Sequence, residues 1–280
     1  MGRWGARLAA PLLGAPLALA FPRPGWWWLA LVGLVPVLLL AMAAPGGGEA
    51  AVRAWLGGTG FFLAVNAFLF PTVGPFMIPL AMLLAATWLP VGWLAWALLG
   101  GAADRDPPVP GAADPDPPVL GAPTGRVAQP GIGGAGLSTG PASDRPGPRR
   151  LAAALVLVPS AFVAGEALRS WEGLGGPWGL LGASQWNAPA LLSVAALGGV
   201  WGLSFLLVAV NLAVAAAVGG QLPGPTRATA AVAAAALPLA ALAFWSLRPA
   251  PPPAGTARVA FVQPGVVGPV EDRFRASERL

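Results

Sequence analysis

The chain has 280 residues, of which 56% are hydrophobic and only 10% charged, and its mean hydropathy is +0.69. This leaves too little polar surface to cover a soluble globule, so the composition predicts a polytopic α-helical membrane protein. The net charge of +5 comes from arginines scattered over predicted loops, which argues against nucleic-acid binding. With no cysteine and no histidine, we expect no disulfide, no zinc site of the usual ligands and no Cys or His nucleophile within these residues. We also expect no cofactor.

Apolar runs separated by proline, glycine and charged residues predict about seven transmembrane helices, since roughly 20 apolar residues cross a bilayer. Four are predicted within residues 1–100 and three within residues 151–248. The predicted spans are residues 8–21, 26–44, 54–70, 76–99, 151–169, 200–218 and 228–247.

The first predicted span has two interpretations. Arg3 and Arg7 precede it, and Ala18-Leu19-Ala20 would pass as a signal-peptidase site, so it is either a retained helix, which we favour, or a cleaved signal. Both place residue 26 at the outer face. The tryptophans at 26–28 are then expected to anchor the chain at the membrane interface rather than to stack on bases. Asn66 is expected to donate a hydrogen bond to a neighbouring helix rather than to bind a substrate.

Residues 101–150 differ in kind from the rest of the first half. They open with a decapeptide repeat, GAADRDPPVP followed by GAADPDPPVL, and continue rich in Gly, Pro, Ser and Thr. Such a segment cannot bury enough apolar surface to order itself, so it predicts a disordered cytoplasmic loop. Partner docking through its proline-rich parts is the alternative.

The organising stretch is residues 159–211, which carries Glu166 within an apolar run. An ionisable side chain in a membrane helix normally faces the protein interior or a cavity. Arg169, three residues on, lies on the same helix face and is its predicted partner. The Gly/Trp-rich turn at 173–186 that follows is expected at the interface.

Residues 188–218 would form one helix of about 46 Å, longer than the bilayer core. Gly198, Gly199 and Gly202 therefore mark either a break, leaving a partly inserted segment at 189–197, or a helix-packing face. Asn187 is predicted to cap the helix start, with Pro189 in the first turn.

The C-terminal part changes character again. Residues 249–280 predict a stiff proline-rich linker, a β-strand at 256–263 and the beginning of an amphipathic helix at 271–280. One strand and part of a helix do not make a domain, so we expect a truncated chain. Most arginines fall on connections that share the side of the N-terminus, and the positive-inside rule thus predicts a cytoplasmic N-terminus and an extracytoplasmic C-terminal end.

Four blocks give the chain a resemblance to bacterial apolipoprotein N-acyltransferases: FPRPGWWW at 21–28, EALRSW at 166–171, GPWGLLGASQ at 176–185 and SVAALGGVWGLSFLLVAVN at 193–211. ARVAFVQPG at 257–265 also resembles the opening strand of that family's nitrilase-like domain. The resemblance implies a domain on the outer side of the cytoplasmic membrane. It also implies a phospholipid acyl donor, a diacylglyceryl-lipoprotein acceptor, and a catalytic cysteine, glutamate and lysine. None of the three can be assigned here, so the 280 residues alone are expected to be inactive.

A lipid-access role at the outer interface is the functional hypothesis for residues near the end of the fifth span. A neutralised ion pair within a tryptophan belt is the structural alternative. A transporter subunit, which would need ionisable groups near the midplane and internal symmetry, and a non-catalytic membrane scaffold remain the other classes. The candidate residues are Glu166, Arg169, Trp171, Trp178, Gln185 and Trp186.

Overall fold

A computed structural model describes residues 2–100, 146–171, 176, 178–247 and 255. Within these residues the regular structure is helical, with short 3₁₀ segments between and after the α-helices. Residues Met1–Leu247 form one compact unit. The predicted strand at 256–263, the predicted helix at 271–280 and nearly all of the predicted loop at 101–150 lie outside the described residues.

The first hundred residues form six α-helices. They are α1 (Arg3–Gly14), α2 (Val35–Met42), α3 (Gly47–Val65), α4 (Phe70–Val73), α5 (Met77–Ala85) and α6 (Leu89–Leu99), with 3₁₀ segments at Ala15–Ala20, Trp27–Leu31 and Ala86–Trp88. Four more follow. They are α7 (Pro148–Arg169), α8 (Pro189–Leu192), α9 (Ala195–Val218) and α10 (Gly224–Leu247), with a 3₁₀ segment at Leu181–Gln185 before α8.

Four helical stretches in the described part of the chain are long and apolar enough to cross a membrane. They are Ala67–Leu99, Pro148–Arg169, Ala195–Val218 and Gly224–Leu247. The prediction of a polytopic helical protein is confirmed at this level. The helix α1 is only 12 residues long, and α3 carries Glu49 and Arg53, so neither is among the four. The count of seven spans stays a prediction.

The first helix packs with its backbone directly against α3. A Cβ atom added at Gly60 would overlap the carbonyl of Pro11, and one added at Gly14 would overlap the carbonyl of Gly57. Only glycine permits two helix backbones to approach this closely. The choice between a retained helix and a cleaved signal stays a prediction.

An aromatic cluster joins α3 to α7. The ring of Trp88 lies 5.7 Å from that of Phe61 and 5.5 Å from that of Phe162, measured between centroids. All three side chains are almost fully buried. They fix the α5–α6 stretch between α3 and α7, which sets the position of the end of α7.

The predicted break in the long segment before residue 218 is confirmed. Gly198 has φ −148° and ψ 20°, and Gly199 has φ 62° and ψ −159°, a conformation that favours glycine. A Cβ atom at Gly198, Gly199 or Gly202 would meet nothing within 4 Å. Within the part of the chain that the structure describes, no helix packs on these glycines, so the alternative interpretation of a helix-packing face finds no support there.

Two polar residues behave differently from the predictions. Pro189 begins α8 as expected, but no side chain caps it, so the predicted capping role of Asn187 is wrong. Asn66 donates to Phe62 O in its own helix, 3.2 Å away, and not to a neighbouring helix. Asn211 makes the interhelical bonds instead, since it accepts from Leu34 N at 2.9 Å and donates to Ala30 O at 2.7 Å.

The connections gather at two opposite ends of the bundle. At one end Arg7 contacts Glu49, and Trp96 Nε1 donates to Ala44 O. At the other end, about 28 Å along α3 at 1.5 Å per residue, Phe68 packs on Trp178 and Gln185 bonds to Trp27 O. The chain segment that follows α7 therefore lies at the same end of the bundle as Trp27.

Candidate functional site

Glu166 lies in the last turn of α7 and is fully buried. Its Oε1 accepts a hydrogen bond from Leu181 N at 2.7 Å. Leu181 begins a 3₁₀ segment, and the first N–H groups of a helical segment have no partner within it. The carboxylate therefore holds the start of the returning chain against the end of α7.

Ser204 of α9 supplies a second anchor for the same segment. Its Oγ accepts a hydrogen bond from Gly182 N at 2.8 Å. A Cβ atom at Gly182 would overlap the carbonyl of Val200, so the glycine is required by the close approach to α9. Side chains from α7 and α9 together fix the segment that begins at Leu181.

Gln185, at the end of this segment, is buried rather than exposed at the interface. Its Nε2 donates to Trp27 O at 3.1 Å and to Ser184 Oγ at 2.9 Å. The amide therefore connects the segment to the N-terminal part of the chain.

Arg169 ends α7 and is only 3% exposed. Its Nη1 donates to Trp178 O at 3.2 Å, and its guanidinium carbon lies 4.6 Å from the centre of the Phe62 ring. No carboxylate–guanidinium contact within 4.0 Å joins it to Glu166. The Glu166 carboxylate is instead directed to a backbone N–H of the returning chain, so the two charges interact through space without direct contact, and the predicted neutralised pair stays a prediction.

The side chains of the three candidate tryptophans are all exposed. Trp171, Trp178 and Trp186 are between 55% and 69% exposed. The structure brings Trp178 into contact with Phe68 and, through its carbonyl, with Arg169. The six predicted residues therefore divide into a buried polar group and an exposed aromatic group, and their roles in lipid access stay predictions.

An ion cluster around the buried Glu49, at the opposite end of the bundle, was missed by sequence reasoning. Glu49, at the start of α3 and before the predicted third span, accepts from Arg3 Nε at 2.9 Å, Arg7 Nη2 at 2.6 Å and Arg53 Nε at 3.2 Å. The hydrogen bond from Arg7 is the largest cause that lowers the Glu49 pKa to about 2. The i,i+4 spacing of Glu49 and Arg53 was the one local signal for it.

Comparison with known proteins identifies the family. The family described as Apolipoprotein N-acyltransferase N-terminal domain matches residues 13–113 and 136–213. Apolipoprotein N-acyltransferase 1 of Treponema denticola is 50% identical over 48 residues, a stretch that covers 17% of this chain and 9% of that relative. Because the family match covers more than half of the chain, this membrane protein belongs to the apolipoprotein N-acyltransferase N-terminal domain family.

Proposed function

We propose that this chain is the membrane part of an apolipoprotein N-acyltransferase. The enzyme would transfer an acyl chain from a phospholipid to the N-terminal amine of a diacylglyceryl-cysteine in a lipoprotein. The observation that carries the proposal is the family match, which spans the helices that hold Glu166, Arg169 and Gln185. The relative's name supports the same activity, but the match spans only 9% of its length.

The proposed chemistry has two steps. A cysteine thiolate attacks the ester carbonyl of the phospholipid, so a thioester forms and a lysophospholipid leaves. The lipoprotein amine then attacks the thioester, which forms an amide, releases the thiolate and loses a proton to a general base. These 280 residues contain neither cysteine nor lysine. A complete nitrilase-like domain would have to supply the nucleophile and the oxyanion partner.

The proposed topology has seven spans in the cytoplasmic membrane, with the N-terminus inside and residue 255 outside. The gathering of connections at two opposite ends supports this alternation. Cysteine-scanning accessibility tests it. A cysteine introduced at 255 should be labelled from outside, and one at 125 only after permeabilisation. The opposite pattern would refute the topology.

The activity is tested by trapping a thioester with an alkyne-labelled phospholipid. The 280-residue chain should show no adduct, whereas a chain extended through a nitrilase-like domain should show one that hydroxylamine removes. Replacing the added cysteine should abolish the adduct while the protein stays folded. A hydroxylamine-resistant adduct on the 280-residue chain would mean a different nucleophile and would contradict the mechanism.

A non-catalytic membrane scaffold is the second candidate. A scaffold would need no nucleophile among the 280 residues, which contain neither cysteine nor lysine. An extended chain that folds but forms neither thioester nor acylated product would support the scaffold over the acyltransferase.

A further inference from the structure

The end of the bundle at which Arg7 contacts Glu49 carries an excess of positive charge. Among the described residues it has one carboxylate, that of Glu49, and six of the eight arginines. The starts of α7 and α10 belong to this end, since α7 ends beside Trp178 at the other end and Arg227 donates to Ala217 O near the end of α9. The six are Arg3, Arg7, Arg53, Arg149, Arg150 and Arg227. The charge balance therefore favours a negatively charged ligand at this end.

Arg3 belongs to the Glu49 ion cluster but keeps donors that other groups can use. Its Nε donates to Glu49 Oε2 at 2.9 Å, while its side chain is 64% exposed. Arginine carries five N–H donors, and neither Nη group of Arg3 has a hydrogen-bond partner among the described residues. Arg53, by contrast, is buried and bonds to Leu40 O. The cluster joins three guanidinium groups to one carboxylate, so it keeps a net charge of +2.

An apolar stripe on α1 indicates the depth at which Arg3 lies in the membrane. The stripe consists of Trp4, Leu8 and Leu12, which are between 73% and 75% exposed and share one helix face at intervals of four residues. In the predicted membrane this face contacts lipid, and a tryptophan at its end lies at headgroup depth. The Arg7 guanidinium carbon lies 5.2 Å from the centre of the Trp4 ring, as in a cation–π contact. Arg3, the residue before Trp4, is therefore at the depth of the lipid phosphates.

We propose that Arg3 binds the phosphate of an anionic phospholipid in the leaflet at this end of the bundle, with the acyl chains along the apolar stripe of α1. A guanidinium matches a phosphate in charge and in hydrogen-bonding geometry. Glu49 holds this guanidinium by its Nε, which leaves the two Nη groups for the ligand. The site lies at the end of the bundle opposite the candidate functional site, so it goes beyond the proposed function and does not depend on it.

The headgroup charge determines which lipid this site selects. Acyl chains are as apolar as the stripe, so their contact with α1 gives no preference over bulk lipid. The net charge of +2 on the ion cluster favours a headgroup that is itself negative, such as that of a phosphatidylglycerol. In a zwitterionic headgroup such as that of a phosphatidylcholine, the ammonium group offsets the phosphate and is repelled by the cluster. The comparison of these two lipids therefore tests the proposal.

The experiment uses the 280-residue protein in phosphatidylcholine nanodiscs, after its intact mass has shown that residues 1–20 are present. Trace amounts of two photoactivatable lipids are compared, a phosphatidylglycerol and a phosphatidylcholine with the same diazirine near the glycerol end of one acyl chain. After illumination, peptide mass spectrometry locates the label. The phosphatidylglycerol should label residues 3–12 about fivefold more than the phosphatidylcholine, as expected for one arginine near an anionic headgroup. Equal labelling by the two lipids would overturn the proposal.

Two exposed arginines at this end provide a matched pair of variants. Arg3→Gln should remove the preference for phosphatidylglycerol, and Arg3→Lys should keep part of it because the charge is retained. Arg227 bonds to Ala217 O, and its helix α10 packs on α9, whereas α1 packs on α3. Arg227→Gln should therefore leave the labelling of residues 3–12 unchanged. Equal losses in the two glutamine variants would mean a general attraction to positive charge and would overturn the site. If Arg3→Gln does not fold, the comparison of lipids in the unchanged protein still decides the question.

The decapeptide repeat is a competing occupant from within the chain, because its two copies carry four aspartates and one arginine. Deleting residues 101–146 should leave the preference for phosphatidylglycerol unchanged if Arg3 binds lipid. A preference that appears only after this deletion would mean that the acidic repeat occupies Arg3, and it would overturn the proposal.

Discussion

Replacing Asn211 gives the most direct test of whether interhelical hydrogen bonds stabilise this bundle. It is fully buried in α9, and its amide bonds to Leu34 N at 2.9 Å, Ala30 O at 2.7 Å and Leu207 O at 2.8 Å. The first two bonds cross between elements 177 and 181 residues apart in sequence. Asn211→Leu keeps a similar volume but leaves a buried N–H and a buried C=O without this partner.

Two kinds of measurement bound the loss in unfolding free energy that Asn211→Leu should cause. An unsatisfied buried polar group costs about 1–3 kcal/mol. Side-chain hydrogen bonds between membrane helices, however, average about 0.6 kcal/mol and reach about 1.7 kcal/mol. Two lost bonds at about 1 kcal/mol each give about 2 kcal/mol. For a protein of this size that corresponds to a decrease in Tm of about 4–8 °C.

Asn66 is the matched control because it is equally buried but bonds only within its own helix. Its partner, Phe62 O, also accepts from Asn66 N and therefore keeps a donor when the side chain is removed. We expect Asn66→Leu to cost less than about 1 kcal/mol. Thermal unfolding followed by size-exclusion chromatography in detergent measures both variants. A Tm decrease for Asn66→Leu as large as that for Asn211→Leu would refute the assignment of interhelical stability to Asn211.

The pKa of Glu49 is lowered from 4.5 to about 2, so its ion cluster stabilises the fold above pH 4.5, and this stability is lost as the pH falls from 4.5 towards 2. The Tm of the unchanged protein should therefore fall more between pH 4.5 and 2 than the Tm of Glu49→Gln. If the two proteins show parallel plots of Tm against pH, the stabilising role of the cluster is contradicted. Gly60→Ala should lower the yield of folded protein, because its Cβ overlaps the Pro11 carbonyl, whereas Gly48→Ala meets nothing within 4 Å and should be neutral or slightly stabilising. Deleting residues 101–146 should leave insertion and abundance nearly unchanged, since loop closure varies slowly with length, and a sharp loss of folded protein on immunoblots would show that the repeat is structural.

The sequence by itself determined the features that depend on neighbouring residues. Long apolar runs marked the helices, because a bilayer demands about 20 such residues for each crossing. The paired glycines at 198 and 199 offered a break as one of two interpretations, and the φ of 62° at Gly199, which only glycine adopts without strain, decided for it. Pro189 marked the start of α8, because the fixed φ of a proline ring suits the first turn of a helix.

Only the tertiary structure decided which polar groups meet. Arg169 was the nearest candidate partner of Glu166 along the helix, yet the carboxylate binds Leu181 N, because the chain returns across the end of α7. Glu49 likewise collects Arg3 and Arg7 from more than 40 residues away once α1 lies on α3. Helix-surface spacing rules describe which side chains can meet within one helix. They say nothing about backbone N–H groups or charges that another segment brings nearby, and in a buried site those determine where a charge is satisfied.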